Sequence, residues 1–499
     1  MIGKVYLIGA GPGDPDLITV KGRELLALAT VVLYDNLAAP ELIPHTAKRV
    51  YVGKKKSDHA MPQQEITDLL IQYAQAGETV VRLKGGDPYI FGRGGEEVEA
   101  LAAAGIEFEV VPGVTAALGL AAYTGVPLTH RDHTSSVTFV TGHDPAKIDW
   151  TRVGHAETLV IYMGLTTIGE IAKKLIEAGR APATPAVVVQ RATTPRQHTI
   201  FTTLAELPTI AEAHNLKPPA TIVIGEVAAL RGKLDWFEKR PLFGQTVLVT
   251  RAEGQGEEGN RKLRRLGAHV LDIPVIEIQP PDDPAPLVEA LQNLKLYDWI
   301  LFTSANAVTR FFDALFAQGK DARAIRAKIG AIGTKTAAAL HTRGIVPDNI
   351  AAEAVAEGVV KAFENESLAG ARVLLPRAAV GRDLIPIEFR KRGARVDIVP
   401  VYRTGVPQES VEKLAQVETV NWITFTSSST VKNFLALGGR RLLDQGAKAI
   451  SIGPATSETM RAHEIEIALE AQDHTMDGVI AAILGSQWNS DLLRLGGKL

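Results

Sequence analysis

Short apolar, β-branched runs recur along the whole chain, and most stop abruptly at glycine, proline or a small polar residue before helical spacing begins. Residues 4–8 read as a first buried strand that runs into Gly9-Ala10-Gly11-Pro12-Gly13-Asp14, with a helical pattern from 19 to 28. Residues 31–34 form the next run and end at Asp35; 50–52, 79–81 and 108–111 continue the series, separated by helical stretches at 63–76 and 96–104. A second set at 137–141, 158–162, 186–189, 199–203 and 220–225, with a helix at 168–178, predicts a further α/β layer. Strands alternating with helices predict an α/β protein whose sheets are largely parallel and covered on both faces.

The strand ends carry the candidate chemistry. In 79–97, TVVRLKGGDPYIFGRGGEE, glycine occupies positions 85, 86, 92, 94 and 95, so backbone N–H and C=O groups can approach a ligand closely. Lys84 and Arg93 supply cations there and Asp87 an acceptor. The glycines after the first strand, followed by Asp35 at the end of the second, imitate a dinucleotide-binding fingerprint and keep a nicotinamide oxidoreductase open as a rival reading. Pro12 speaks against it, because it removes an N–H where a pyrophosphate needs one, and Pro15 interrupts before the helix. The turn is therefore read as a Gly-Pro loop against which a ligand packs. Lysines 54–56 follow the third strand, either as a solvated loop or facing carboxylates. The 127–133 stretch, PLTHRDH, favours a hydrogen-bonded loop over a metal site, since neighbours on an extended segment point to opposite faces. No metal is expected.

Composition narrows the class. A chain of 499 residues implies two to four domains, and 46% apolar with 22% charged residues is ordinary for a globular protein. A net charge of −2 gives no reason to expect a nucleic-acid partner. The absence of cysteine excludes disulfides, thiolate metal sites and cysteine nucleophiles, and fits a cytoplasmic location. The N-terminus reads as a strand rather than a signal peptide, and no segment reaches membrane-spanning length.

The second half repeats itself. GQTVLVTRA at 244 recurs as GARVLLPRA at 370, GAHVLDIPV at 267 as GARVDIVPV at 393, WILFTS at 299 as WITFTS at 422, and IGT at 332 as IGP at 452. So small a drift in separation means two copies of one α/β unit. The FTS and IG turns sit where strands give way to helices, which suits anions and a polycarboxylate. From composition alone this half is a two-lobed binding module.

The Gly-Pro loop, the GGDP-IFGRG turn, PGVTAA at 112–117, PLTHRD, the YMG strand end at 162–164 and VVQRAT at 188–193 together resemble the uroporphyrinogen-III C-methyltransferases of the tetrapyrrole methylase superfamily, over about residues 5–236. The resemblance implies two α/β subdomains holding S-adenosylmethionine in a cleft. Its contacts fall on Pro12, Gly85, Gly86, Asp87, Ile90, Thr115, Ala116, Met163, Ala192 and Thr221; Ala192 departs slightly from a glycine of relatives. It further implies double methylation of uroporphyrinogen III to precorrin-2, with Asp35 as proton acceptor and Lys54 as donor. Arg93 and Arg131 are the candidates for substrate carboxylates, a surface ion pair being the open alternative for each. Methylases of this superfamily are commonly homodimers.

Residues 244–484, through FTS, IGPAT and VPVYRT, resemble uroporphyrinogen-III synthase, in which two flavodoxin-like lobes close over a linear tetrapyrrole. The implied reaction is cyclisation of hydroxymethylbilane with inversion of the last ring, without metal or organic cofactor. Tyr402 then assists the leaving hydroxyl, or serves as a core or hinge residue, while Thr336, Ser427 and Thr456 bind substrate. The expected domains are a methylase at 1–229, a linker at 230–243 and a synthase at 244–490, with one lobe at 277–402 and the other at 244–276 plus 403–490. A non-catalytic tetrapyrrole-binding second half is the alternative, and whether the pathway ends in siroheme or cobalamin stays open.

Overall fold

The computed structural model describes residues 2–53, 61–252, 256–353 and 355–495, which separate into two compact units, the first built mainly from residues up to 245 and the second from residues after it. The first unit begins with a five-stranded sheet of β1 (Lys4–Gly9), β2 (Val31–Tyr34), β3 (Lys48–Tyr51), β4 (Val80–Lys84) and β5 (Glu107–Val111). Its order is β3-β2-β4-β1-β5, with every neighbouring pair parallel. Burial on both faces explains the unbroken apolar runs. Val5, Leu7, Val31, Leu33 and Val80 pack with Ile66 and Leu70 of helix Gln63–Gln75, while Ile8, Val32, Val81 and Leu83 pack on the other side with Leu26 of helix Val20–Ala27.

The second sheet of this unit contains β6 (Val137–Thr141), β7 (Thr158–Tyr162), β8 (Pro185–Gln190), β9 (His198–Thr203) and β10 (Ala220–Ile224), in the order β6-β7-β10-β8-β9. Because β10 is antiparallel to both β7 and β8, the carboxyl ends of β6, β7 and β8 share one edge with the amino end of β10. Helix Ala116–Thr124 follows β5 of the first sheet, yet its Ala117 and Leu120 pack with Val160, Val187 and Val223 of the second. That helix joins the two subdomains. The segment expected as a linker, 230–243, is packed: Phe237 and Leu242 are buried, Phe237 lies 4.6 Å from the Tyr123 ring, and Trp236 Nε1 donates to the Ala122 carbonyl at 2.7 Å.

The second unit holds β11 (Thr246–Val249), β12 (His269–Asp272), β13 (Glu277–Gln279), β14 (Trp299–Phe302), β15 (Lys328–Ala331), β16 (Asn349–Ile350), β17 (Arg372–Ala378), β18 (Arg395–Gly405), β19 (Trp422–Phe425), β20 (Lys448–Ser451) and β21 (Ile467–Glu470). One sheet runs β12-β11-β19-β20-β21 and the other β13-β18-β17-β14-β15-β16, with β13 antiparallel on the outer edge. Both reproduce the flavodoxin-like 2-1-3-4-5 order, but through an exchange. Each sheet takes the first two strands of one sequence copy and the last three of the other.

Three strand ends of the first sheet meet backbone to backbone. Ala10 N donates to the Lys84 carbonyl at 2.8 Å, and Gly11 and Gly86 exchange N–H···O=C bonds of 3.3 and 2.7 Å. A Cβ on Gly113 would lie 2.3 Å from the Gly86 oxygen and 2.8 Å from Gly9 Cα. Gly113→Ala is therefore expected to lower stability by about 1–3 kcal/mol through overpacking, read as a lower midpoint for unfolding of the first unit in the intact chain; an unchanged midpoint would show that these loops part freely.

Candidate functional site

In the first unit the site builds up around the turn after β4. Gly85 lies against the loop after β2, where a Cβ would stand 2.4 Å from Leu37 Cβ. Gly86 has φ +69°, and a Cβ there would meet only Ala116 N at 3.7 Å and Thr115 Cα at 3.8 Å. Glycine thus keeps open the space in front of the first turn of helix Ala116–Thr124, the positive end of its dipole. Asp87, expected as a cofactor contact, works within the protein: Oδ1 accepts from the backbone nitrogens of Tyr89 and Ile90 at 2.8 and 3.2 Å, and Oδ2 from Gly113 N at 2.9 Å. It ties the β4 turn to the β5 turn.

The second subdomain closes on the same place. The Tyr162 hydroxyl lies 2.8 Å from Thr115 Oγ1 and accepts from Ala117 N at 3.0 Å, capping the helix from the end of β7. Burial pushes this phenol's pKa up. Met163, the next residue, is 51% exposed, and Thr221 is buried directly opposite Tyr162 on β10. Pro12 packs on Gly119 of the helix, Asp14 N donates to Thr193 Oγ1 at 3.0 Å, and Gly13 is closed in by the carbonyl of buried Ala192 and by Thr194. Ile90 stays partly exposed beside Phe91, whose ring is 5.0 Å from that of Tyr162. Phe91, Arg93, Met163, Arg191 and Thr193 are five of the seven non-glycine residues with positive φ among the described residues, a concentration of backbone strain at one place.

Asp35, at the end of β2, accepts from Leu37 N at 3.0 Å and from the Arg82 guanidinium at 3.0 Å. Arg82 and Lys84 lie two residues apart on β4, both buried, and both reach Glu97, at 3.3 and 3.0 Å. Gln63 Nε2 adds a 2.9 Å bond to the same carboxylate. Burial, with the Arg82 charge, holds the Lys84 pKa down, while Glu97 opposes the shift. Lys84 was expected to present a cation to a ligand; it is instead turned inward against Glu97. Lys54 lies outside the described residues. Arg93, 56% exposed on its side chain, makes a bidentate pair with Glu96 at 2.9 and 2.5 Å. Arg131 is exposed in the turn closed by reciprocal backbone bonds between His130 and Thr134.

In the second unit the duplicated turns hold equivalent residues in different bonds. Ser304 and Ser427 are the N-caps of helices Ala305–Ala317 and Ser428–Ala436. Ser427 forms a capping box with Thr430, whereas Ser304 Oγ also lies 3.2 Å from the hydroxyl of Tyr402, a mostly buried residue of β18. Thr336 and Thr456 are buried near the starts of helices Gly333–His341 and Pro454–Ala462. Two cations were missed by sequence reasoning. Arg251, just beyond β11, and Lys335, in the first turn of its helix, have no carboxylate partner among the described residues. Burial lowers both pKa values, and the Arg251 charge lowers that of Lys335 further, so the two lie within each other's field. Arg377, the repeat counterpart of Arg251, is instead bonded to Asp383 at 2.7 Å. The repeated TRA and PRA strand ends were the available signal.

The first unit thus carries the tetrapyrrole (corrin/porphyrin) methylase fold, whose family description matches residues 4–208, and the second the uroporphyrinogen-III synthase HemD fold, matched over residues 257–481. A porphyrin biosynthesis protein HemD from Ruminiclostridium josui is 38% identical over 499 residues, covering 97% of this chain and 98% of that protein. The chain belongs to this family of fused tetrapyrrole methylase and uroporphyrinogen-III synthase proteins. A siroheme synthase from Azotobacter vinelandii is 55% identical over 246 residues, 48% of this chain; the chain spans about half (53%) of that protein's length. A Thermus thermophilus uroporphyrin-III C-methyltransferase, solved with S-adenosyl homocysteine, aligns with 44% identity over 46% of this chain and 100% of that one, at a TM-score of 0.40.

Tyr162→Phe keeps the ring packing but removes the oxygen shared by Thr115 and Ala117. A loss of about 1–2 kcal/mol is expected, for unmade buried hydrogen bonds, measured by denaturant unfolding; no loss would mean that water replaces the phenol at the helix terminus.

Proposed function

We propose that the second unit cyclises hydroxymethylbilane to uroporphyrinogen III and that the first transfers two methyl groups to it from S-adenosylmethionine, giving precorrin-2. The observation that carries the first assignment is the open face of Gly86 before the helix at Ala116, bounded by the ends of both sheets. Glycine backbone, a helix N-terminus and the exposed side chains of Ile90 and Met163 suit a small zwitterion with an apolar ring and a carboxylate. Pro12, Gly85, Gly86, Asp87, Ile90, Thr115, Ala116, Met163, Ala192 and Thr221 would hold it, Asp87 also tying the β4 turn to the β5 turn. When bound, it supplies an electrophilic sulfonium methyl group. Pyrrole carbons are already nucleophilic, so the protein's work is alignment and proton movement. In this reading Asp35 accepts a proton from the macrocycle and Lys54 returns one.

For the second unit, Arg251 and Lys335 take substrate carboxylates, with Thr336 beside Lys335 and with Ser427 and Thr456 at the turns after β19 and β20. Tyr402 assists departure of the hydroxyl group, its own hydroxyl oriented by Ser304. The resulting pyrrole-stabilised cation needs no metal or organic cofactor. Arg93 and Arg131, both exposed, remain the cations offered to the macrocycle's carboxylates at the first unit. The reading extends to a cytoplasmic homodimer assembled through the methylase half; no helix among the described residues is long and apolar enough to cross a membrane.

The deciding experiment incubates the purified chain anaerobically with hydroxymethylbilane, with and without S-adenosylmethionine, and analyses product mass and ring isomer. Type III isomer without the donor and a gain of two methyl groups with it are expected; type I ring alone would make the second unit a binder. Lys335→Glu is expected to raise the KM for hydroxymethylbilane by about tenfold or more, the loss of one charge-assisted contact, with methylation of added uroporphyrinogen III unchanged. An unchanged KM would remove Lys335 from the substrate site.

A further inference from the structure

Asp35 is not held by its own loop alone. Its Oδ2 is gripped by Arg82 at 3.0 Å, and the same guanidinium reaches Glu97 through Nε at 3.3 Å and the Leu83 carbonyl through Nη1 at 3.0 Å. Glu97 is fully buried and also receives Lys84 Nζ, 3.0 Å from both of its oxygens. Four charges thus alternate in sign from the strand end inward: Asp35, Arg82, Glu97, Lys84. The only member with substantial solvent access is Asp35, its side chain 25% exposed against at most 5% for the others. Burying a carboxylate and two cations is costly unless each is paired. A packing role alone could be met by apolar residues of similar volume. A planar guanidinium fastened at two points, by Glu97 and the Leu83 carbonyl, by contrast, presents its remaining edge to Asp35 in one direction.

We propose that Glu97 is a positioning residue for methyl transfer: through Arg82 it fixes the orientation of the Asp35 carboxylate toward the macrocycle. The inference rests on the reading of Asp35 as proton acceptor. Lys84 places a second cation against the Glu97 carboxylate, 3.0 Å from both oxygens, and burial, with the Arg82 charge, holds the Lys84 pKa down. Neither Glu97 nor Lys84 touches substrate; both act at one remove.

The test is a double-mutant cycle on the intact chain, following methylation of uroporphyrinogen III anaerobically. Asp35→Asn alone is expected to lower kcat by about a hundredfold or more, as for loss of a proton-transfer group. Glu97→Gln alone is expected to lower it by about ten- to a hundredfold, as for misplacement of a reacting group. In the Asp35→Asn background the same Glu97→Gln change is expected to cost less than about twofold, because residues acting as a unit are not additive. S-adenosylhomocysteine affinity, measured by calorimetry, stays within about twofold throughout if the coupling is local. Should Glu97→Gln not fold, Arg82→Lys takes its place in the cycle, since an ammonium cannot span Asp35 and Glu97 together. Equal losses with and without Asp35, an unchanged kcat, or a parallel loss of S-adenosylhomocysteine affinity would each overturn the proposal while leaving the role of Asp35 intact. Full activity in Asp35→Asn would remove the role of Asp35, and the proposal with it.

Discussion

The methylase half depends on a contact in which no side chain takes part. β4, β1 and β5 are neighbours in one sheet, and the loops leaving them converge until Gly9, Gly86 and Gly113 touch through backbone atoms alone. Ideal Cβ atoms at Gly9 and Gly113 would sit within 3 Å of those backbones, so residue type at these ends is dictated before any ligand is considered. Their polar groups are largely committed to one another: Gly11 and Gly86 bond reciprocally, and Gly113 N is taken by Asp87. What the junction leaves uncommitted is the face of Gly86 toward Ala116. A rigid backbone floor under a helix N-terminus is a surface on which a small polar molecule can be oriented without rearrangement.

The buried charges beside that floor make physical sense only together. Taking Arg82, Lys84 and Glu97 out of water costs several kcal/mol per ion, and Coulomb attraction offsets this only when the remaining donors and acceptors are also satisfied. Here Gln63 and the Leu83 carbonyl complete the set. The cluster is therefore weak grounds for stability and stronger grounds for geometric specificity. Lys84 shows how the two sides of the junction are linked, since its carbonyl receives Ala10 N from the glycine contact while its ammonium enters the charge cluster.

Much of this was legible in the sequence, and the failures have a common cause. The strands and helices read from periodicity in the first unit lie within a few residues of those positions, because both sheets bury two faces and break at glycine or proline, whereas helices Ala116–Thr124 and Leu207–Ala213 were not read. The convergence of small residues on strand ends was equally visible. What the chain did not disclose were partners distant in sequence. Asp87 beside glycines gives no sign in the sequence that its carboxylate also accepts from Gly113 N, 26 residues away. Lys84 reads as available until Glu97 is placed under it, and Tyr162 carries no signal because its partners Thr115 and Ala117 lie 47 and 45 residues away. The charged segment 230–243 reads as a linker although Phe237 and Leu242 are buried. Charge along the sequence cannot reveal an apolar residue every few positions that docks on a helix formed a hundred residues earlier.

The duplicated half shows what repetition fixes and what it leaves free. Sequence copies do not correspond to sheets: β11 and β12 of the first copy lie with β19–β21 of the second, and β17 and β18 lie with β14–β16. The place of exchange is visible in the strands themselves. In the second copy β18 runs unbroken for 11 residues, whereas the corresponding stretch of the first copy splits at Ile273–Ile276 into β12 in one sheet and β13 in the other. Neither copy can complete a sheet alone, so the two cannot diverge independently in their cores. Their strand ends can. Arg251 has no acid partner among the described residues where Arg377 is paired, Lys335 stands where the second copy has Ala455, and Ser304 meets Tyr402 where Ser427 turns back on Thr430. A symmetric fold with asymmetric edges suits a substrate whose two ends must be treated differently, as in closing a linear tetrapyrrole with only its last ring inverted.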